Sequence, residues 1–326
     1  MTALTNIYLD EPSLDYIPST RGIDVQEFEI AIGRYLGVDK CVATNSGTSA
    51  LHLALLACGI GKGDEVLVPA TTFIATANAV SYTGATVVLS DVDSVHWCLR
   101  DDIKEKFTAI IPVGLYGHYA INLNIKHGAY IIFDFAESLD NSAEINNKMA
   151  FFCYSFNGNK TITTGGGGLI TALGGAGLDT IRSMINPGSY DGVGYNYGMT
   201  ALSARLGLEQ LKLIGSHSEK KRKFNEIYRE NLNHRLTFQE VTGTPWLTAV
   251  LFPAGTDIPK LQLNLKMSGI PTRRVFEPLN HFKPYSDGKT YPVAEDIWKR
   301  GLCLPSSVRN QEGDIYEVCQ KIKGLL

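Results

Sequence analysis

Short apolar segments rich in β-branched and aromatic residues alternate with helical patterns along much of the chain. The apolar segments, each a candidate strand, lie at residues 65–69, 86–89, 108–113, 130–135 and 151–156. The helical patterns lie at residues 24–36, 47–58 and 72–82, with a short one near Ile121. Strands that alternate with helices are typical of a parallel sheet, because parallel neighbours need a crossover connection. We therefore predict an α/β fold in which a mainly parallel sheet lies between helices.

Local signals mark the ends of two of these helices. Residues 24–27, Asp-Val-Gln-Glu, have the form of a capping box and predict a helix that continues to Leu36, where Gly37 ends it. The polar turn at residues 45–49 leads into a helix that is apolar almost all round and ends at Gly59. A helix of this kind is buried in the protein interior.

Residues 203–231 carry alternating charges in a helical pattern, and their length suits one long helix between two domains. We place the boundary near residue 235, which predicts a large domain at residues 1–235 and a small α+β domain at residues 236–326. The predicted elements of the small domain include a strand at residues 246–252 and a final helix at residues 312–323.

One lysine lies between a predicted buried strand and four consecutive glycines. Residues 151–156 are apolar, Lys160 follows, and residues 165–168 are all glycine. Residues 169–171 could pair with the strand at residues 151–156, which we call the lysine strand because Lys160 follows it. Because burial disfavours the ammonium form, such an amine can attack a carbonyl and form a Schiff base, which is the chemistry of pyridoxal phosphate (PLP). The alternative is a plain hairpin in which the glycines are only turn residues.

Four further positions fit the needs of that cofactor. Asp134 ends an apolar strand and could hold the proton on the pyridine nitrogen, although a helix cap or turn is the alternative. Gly47 and Thr48 begin a helix, where backbone amides bind phosphate; simple N-capping is the alternative. Phe73 offers an aromatic face or is simply core, and Ser155 offers a hydroxyl or bonds the backbone.

Composition excludes several other classes of function. The chain has 326 residues, 44% of them hydrophobic, with 30 Lys+Arg against 33 Asp+Glu, so no nucleic-acid footprint is present. Six scattered cysteines and seven histidines without ligand-like spacing predict neither a disulfide framework nor a metal site. No apolar stretch approaches membrane-spanning length and no signal peptide is evident, so we expect a cytoplasmic protein.

The order of these motifs matches a known family. Ser-Gly-Thr stands at residues 46–48, Thr-Phe at 72–73, Asp-x-Ala-Glu at 134–137 and Ser-Phe-x-x-x-Lys at 155–160. From about Ile23 to the C-terminus the chain resembles the PLP-dependent sugar aminotransferases of the DegT/DnrJ/EryC1/StrS group. The resemblance implies the fold of type I PLP-dependent aminotransferases.

The resemblance also implies a role for each residue that faces the cofactor. Lys160 would form the Schiff base with PLP and move protons, while Asp134 would pair with the pyridine nitrogen. Phe73 would stack on the ring. Glu137 would lie beside the ring, although a solvated glutamate at a helix start is the alternative.

Three residues would bind the cofactor phosphate, and a fourth implies a second subunit. Gly47, Thr48 and Ser155 would contact the phosphate of their own subunit. Asn196 would reach the phosphate of the neighbouring subunit, although by itself it has the appearance of a loop residue. The resemblance thus implies a homodimer with shared active sites.

Within that group, four segments look most like enzymes of bacillosamine and legionaminic acid pathways, which aminate C4 of UDP-4-keto-6-deoxy-N-acetylhexosamines. These segments are residues 134–139, 155–160, 269–273 and 301–306. Glutamate would donate the amino group and convert PLP to pyridoxamine phosphate, and the keto sugar would then accept it. A dTDP- or GDP-linked sugar and amination at C3 stay open. Arg273 and His281 are candidate substrate contacts.

Other features depart from the family pattern. Gly198 stands where the family usually has arginine, and the stretches at residues 139–151 and 184–195 are shorter than usual. A catalytically silent PLP-fold protein is therefore an alternative. A sugar dehydratase on the same scaffold is a second alternative, but in the resembling dehydratases the lysine at the position of Lys160 is replaced.

Overall fold

The structure, a computed structural model, describes residues 22–100, 103–118, 128–139, 150–185 and 192–326. The helices in these residues are α1 (Ile23–Leu36), α2 (Gly47–Ala57), α3 (Ala75–Thr83), α4 (Leu178–Ile185), α5 (Ala201–Leu211), α6 (Ile214–Leu232), α7 (Ile258–Met267), α8 (Pro292–Arg300) and α9 (Glu312–Leu325). The strands are β1 (Cys41–Thr44), β2 (Glu65–Pro69), β3 (Thr86–Ser90), β4 (Ala109–Ile110), β5 (Tyr130–Asp134), β6 (Ala150–Ser155), β7 (Gly168–Ala172), β8 (Thr237–Phe238), β9 (Thr248–Leu251), β10 (Arg273–Arg274) and β11 (Gly301–Leu304). The helix predicted near Ile121 lies outside the described residues.

Within the described ranges, seven strands form the larger sheet in the order β1-β7-β6-β5-β4-β2-β3. Every strand in it runs the same way except β7, which is antiparallel to both of its neighbours. The predicted pairing of residues 169–171 with the lysine strand is confirmed, and Ser155 lies opposite Gly168. Strand β1 was missed, because four buried residues are too few to show a period.

Helices cover both faces of this sheet. Along β6, Phe151 and Cys153 join one core cluster, whereas Phe152 and Tyr154 join another on the opposite face. This alternation follows from the two-residue period of a strand. The predicted α/β fold with a mainly parallel sheet between helices is confirmed. Among the described residues, no helix is both long and apolar enough to cross a membrane.

Two helix predictions need correction. The N-cap of α1 is Gly22, and Asp24 lies inside the helix, where its buried carboxylate accepts a hydrogen bond of 2.7 Å from Arg205. A distant guanidinium therefore replaces the expected capping contact. The single helix predicted at residues 203–231 is two helices, α5 and α6. Helix α5 and the first residue of α6, Ile214, pack in one core, whereas the later apolar residues of α6 pack in another.

A second sheet follows in the order β10-β11-β9-β8, with antiparallel pairs throughout. Its core cluster takes side chains from α7 and α9 and also from α6, including Phe224 and Tyr228. The strand predicted at residues 246–252 corresponds to β9 and the final helix to α9. Helix α6 precedes residue 235 and so belongs to the predicted large domain, yet it packs on the core of the second sheet. The domain boundary at residue 235 therefore stays a prediction.

Replacing Gly207 with alanine is expected to destabilise the protein by about 1–3 kcal/mol. Gly207 lies inside α5, where alanine normally improves helix stability by roughly 1 kcal/mol. Here, however, a Cβ would lie 2.5 Å from Cε2 and 2.9 Å from Cδ2 of the fully buried Phe28. Urea unfolding measures the change.

Gly215→Ala is the matched control, because nothing lies within 4 Å of a Cβ at that position in α6. This variant should leave the free energy of unfolding unchanged or raise it slightly. Equal effects of the two substitutions would show that α1 and α5 are not packed as described.

Candidate active site

A cavity of about 240 Å³ lies at the carboxyl ends of the parallel strands, where open α/β sheets bind their ligands. Strands β1, β2, β5 and β6 all end beside it, and the glycines before β7 close one side. Eight of the residues predicted from the sequence line it, namely Gly47, Thr48, Phe73, Asp134, Glu137, Ser155, Lys160 and Arg273.

Lys160 lies in the turn between β6 and β7, and its side chain is only 14% exposed. Its Nζ donates a hydrogen bond of 3.2 Å to Glu137 Oε1. The same atom lies 3.9 Å from the centroid of the Trp246 ring, over its face. The poorly hydrated amine expected from the sequence is therefore present, but with an acidic and an aromatic neighbour that the sequence did not reveal.

Two buried carboxylates lie in the cavity wall. Asp134 Oδ2 accepts a hydrogen bond of 2.7 Å from Thr76, and Oδ1 accepts one of 3.1 Å from the Ala136 amide. Burial raises the pKa of Asp134, while these hydrogen bonds act in the opposite direction. Burial likewise raises the pKa of Glu137, and the Lys160 charge acts against it.

The start of α2 forms the opposite corner of the cavity. Ser46 is the N-cap and accepts a hydrogen bond of 3.0 Å from the Ser49 amide, as the capping alternative proposed. Gly47 and Thr48 nevertheless line the cavity at the positive end of the helix dipole. A Cβ on Gly47 would lie 2.9 Å from the Cβ of Ser155, so glycine allows β6 and α2 to approach closely.

These groups fit PLP. The helix start and the Thr48 and Ser155 hydroxyls suit a phosphate, the buried Asp134 carboxylate suits a protonated ring nitrogen, and the Lys160 amine suits the aldehyde. Among the described residues, no cluster of His, Cys, Asp and Glu has the arrangement of a metal site.

A family model for DegT/DnrJ/EryC1/StrS aminotransferases matches residues 14–323. The chain belongs to the DegT/DnrJ/EryC1/StrS aminotransferase family. This family uses PLP as its cofactor.

Individual relatives agree with this assignment over nearly the whole chain. A GDP-perosamine synthase of Escherichia coli is 34% identical over 93% of this chain and 90% of its own length. A GDP-perosamine synthase of Caulobacter vibrioides is 35% identical over 94% and 91%. A DegT DnrJ EryC1 StrS aminotransferase from Brucella abortus, of known crystal structure, superposes with a TM-score of 0.83 at 27% identity, covering 94% and 91% of the two chains.

Aromatic rings form one wall of the aminotransferase cavity. Phe73 is 57% exposed, and its ring lies 5.7 Å from that of Phe276. Tyr116 stacks between Phe276, at 5.4 Å, and Trp246, at 6.2 Å. The sequence interpretation missed Phe276, Tyr116 and Trp246. Tyr116 is buried behind Phe276 and Trp246 and follows β4, at the carboxyl edge of the sheet where Asp134 ends β5, and that position was the available signal.

Two predicted residues of the aminotransferase do not line this cavity. Asn196 is exposed, and its carbonyl accepts a hydrogen bond of 3.2 Å from the side chain of Asn45, which does line it. The His281 imidazole contacts Glu295 at 2.6 Å and Glu277 at 3.1 Å instead. Burial lowers the pKa of His281, but the two carboxylates outweigh burial and raise it. His281 therefore does not belong to the cavity that Lys160 lines.

Acidification is expected to weaken the fold of the aminotransferase through His118. Burial, and next the stacked His96 ring, lower the pKa of His118 from 6.5 to about 4. The unfolded chain therefore binds this proton first as pH falls, and the free energy of unfolding decreases between about pH 6.5 and 4. We expect urea unfolding to show a smaller decrease in His118→Asn. Parallel pH profiles for both proteins would contradict this result.

Proposed function

We propose that the protein transfers the amino group of glutamate to a nucleotide-linked 4-keto-6-deoxy sugar, using PLP, and that it does so in the cytoplasm as a homodimer. The observation that carries this proposal is the convergence of Lys160, Asp134 and the start of α2 on one cavity. Each meets a different part of the cofactor, and membership of the aminotransferase family fixes the reaction class.

When bound, PLP would supply an electron sink and the carbon that carries the amino group between donor and acceptor. Lys160 binds the cofactor and carries protons at Nζ, and Glu137, 3.2 Å away, orients that amine. Asp134 keeps a proton on the ring nitrogen, where its buried charge acts strongly. Phe73, which lines the cavity, would cover one face of the ring.

GDP is our first candidate for the nucleotide. The two relatives described above carry GDP in their names, and each covers more than nine tenths of this chain. Arg273 lines the cavity and presents a guanidinium, which binds phosphate oxygens well. A UDP-linked N-acetylhexosamine, favoured by the motif resemblance at residues 134–139 and 155–160, is the second candidate.

The homodimer proposal rests on Asn196. This side chain is exposed, yet its backbone is tied to Asn45 at the rim of the cavity. If a second subunit packed against this rim, Asn196 of one subunit would approach the start of α2 in the other, which is the part of the cavity that suits the phosphate. Sedimentation of the purified protein tests the dimer, and a monomer that transfers amino groups at full rate would contradict the shared site.

The test of function is a visible spectrum of the purified protein with PLP, followed by glutamate and then by single GDP-, UDP- or dTDP-linked 4-keto-6-deoxy sugars. We expect the absorption of bound PLP to bleach with glutamate and to return with one sugar only. Lys160→Ala is the control for binding through the lysine. Without any PLP absorption the silent-scaffold alternative would hold, and a band that ignores glutamate would exclude glutamate as donor.

A further inference from the structure

Two groups contact the Lys160 amine, and one turn holds both of them. The Tyr116 amide donates a hydrogen bond of 2.9 Å to Glu137 Oε2, and the Tyr116 carbonyl accepts one of 2.9 Å from the Trp246 amide. Tyr116 has a φ of 53°, in the left-handed region that is costly for a residue with a side chain. In this strained conformation the N–H of Tyr116 contacts Glu137 and its carbonyl contacts Trp246.

Trp246 also connects directly to the lysine turn. Its indole Nε1 donates a hydrogen bond of 2.8 Å to the carbonyl of Asn159, the residue before Lys160. Its ring is nearly parallel to that of Tyr116, with 15° between the planes. The indole therefore fills the space between Tyr116 and the lysine turn and presents one face to Nζ, 3.9 Å away.

A second lysine, Lys221, binds the backbone of Trp246. Lys221, in α6, donates hydrogen bonds of 2.7 Å to the Trp246 carbonyl and 3.0 Å to the Ser306 carbonyl. The side chain is buried, and burial lowers the pKa of Lys221 to about 8. A buried amine is costly unless its hydrogen bonds are made, so these two carbonyls account for its position.

We propose that Trp246 is a positioning residue that holds the Lys160 amine ready to capture the aldehyde of PLP, and that Lys221 keeps Trp246 in place. The inference rests on the proposed role of Lys160. In the capture step the Lys160 ammonium first gives one proton to Glu137, 3.2 Å away; the neutral nitrogen then forms a C=N bond to the aldehyde carbon, and the carbonyl oxygen leaves as water with the two remaining amine protons. A lysine side chain without such contacts must lose its rotamer freedom at each capture, which slows the step.

The experiment compares two cofactor forms on protein freed of cofactor. PLP has the aldehyde that Lys160 captures, whereas pyridoxamine phosphate has an amine there and cannot bond to the lysine. Stopped-flow absorption gives the rate of PLP capture, and equilibrium titration gives the affinity for pyridoxamine phosphate. The variants are Trp246→Leu, which removes both contacts, Trp246→Phe, which keeps a ring but loses the N–H, and Lys221→Met.

We expect Trp246→Leu to slow PLP capture about tenfold or more, because it removes both the hydrogen bond to the Asn159 carbonyl and the ring face that orients the Lys160 side chain. Trp246→Phe should be slowed less, and Lys221→Met should also be slowed. Affinity for pyridoxamine phosphate should stay within about twofold of the wild type in all three. Phe238→Leu is the matched control. Phe238 lies in β8 of the second sheet, where its ring contacts the Arg229 guanidinium at 5.0 Å and not Lys160, so this variant should capture PLP at the wild-type rate.

Unchanged capture in both Trp246 variants would overturn the inference. An equal loss of PLP capture and of pyridoxamine phosphate affinity would also overturn it, because it would show general damage to the cavity. If Lys221→Met does not fold, the two Trp246 variants decide the result. If the wild type itself does not capture PLP, the proposed function fails, which the wild-type measurement shows before any variant is compared.

Discussion

Replacing Lys160 with alanine is expected to abolish amino transfer and PLP capture while the protein still folds. On the proposed roles of Lys160, the variant would lose both the covalent anchor of the cofactor and the group that carries protons, and loss of the proton carrier alone costs roughly 10²- to 10⁴-fold in rate. The free energy of unfolding should fall by about 1–3 kcal/mol, because buried Glu137 loses a partner. Steady-state kinetics and urea unfolding measure the two effects.

Lys160→Arg separates these effects. Arginine keeps a cation beside Glu137 but cannot form a Schiff base, so this variant should be as inactive as Lys160→Ala and more stable. Activity within tenfold of the wild type in either variant would mean that another group binds the cofactor.

Replacing Asp134 with asparagine is expected to slow both half-reactions by about 10²- to 10³-fold. Asparagine has nearly the same shape, and its oxygen can still accept the hydrogen bond from Thr76, but its NH2 group cannot accept the one from the Ala136 amide. The protein should therefore still fold, with a free energy of unfolding lower by about 1–3 kcal/mol. A neutral amide, however, cannot hold a proton on the ring nitrogen. Single-turnover measurements with glutamate, and then with the keto sugar, follow each half-reaction separately.

Asp296→Asn is the matched control, because Asp296 is an exposed carboxylate paired with Arg300 on α8, away from the cavity lining. It should turn over at the wild-type rate. Normal turnover in Asp134→Asn would mean that another acid pairs with the ring nitrogen. Glu137, the other carboxylate that lines the cavity, would then be tested as Glu137→Gln.

The structure brings together most of the site predicted from local sequence. Lys160 follows an apolar strand, Asp134 ends another, and Gly47 begins a buried helix. Such positions can be predicted because the carboxyl ends of parallel strands meet at one edge of the sheet. His281 does not line the cavity, since it lies in a segment whose strand or helix context did not fix where it points. The assignment of Asn196 to the phosphate of the neighbouring subunit stays a prediction.

Long helices were predicted less well for a related reason. The charge pattern at residues 203–231 continues through the break between α5 and α6, because periodicity reports only local geometry. The break is decided by packing, since Gly207 lies against Phe28 in one core while Phe224 and Tyr228 enter another.

By itself, the sequence determined the fold class, the turn that carries Lys160 and the edge of the sheet where the cavity lies, because strand and helix periods are local properties. Only the tertiary structure decided what surrounds Lys160. Asn159 and Trp246 are 87 residues apart along the chain, yet one hydrogen bond joins them. Contacts of that range depend on how the two sheets pack together, and no local pattern of apolar and polar residues encodes them.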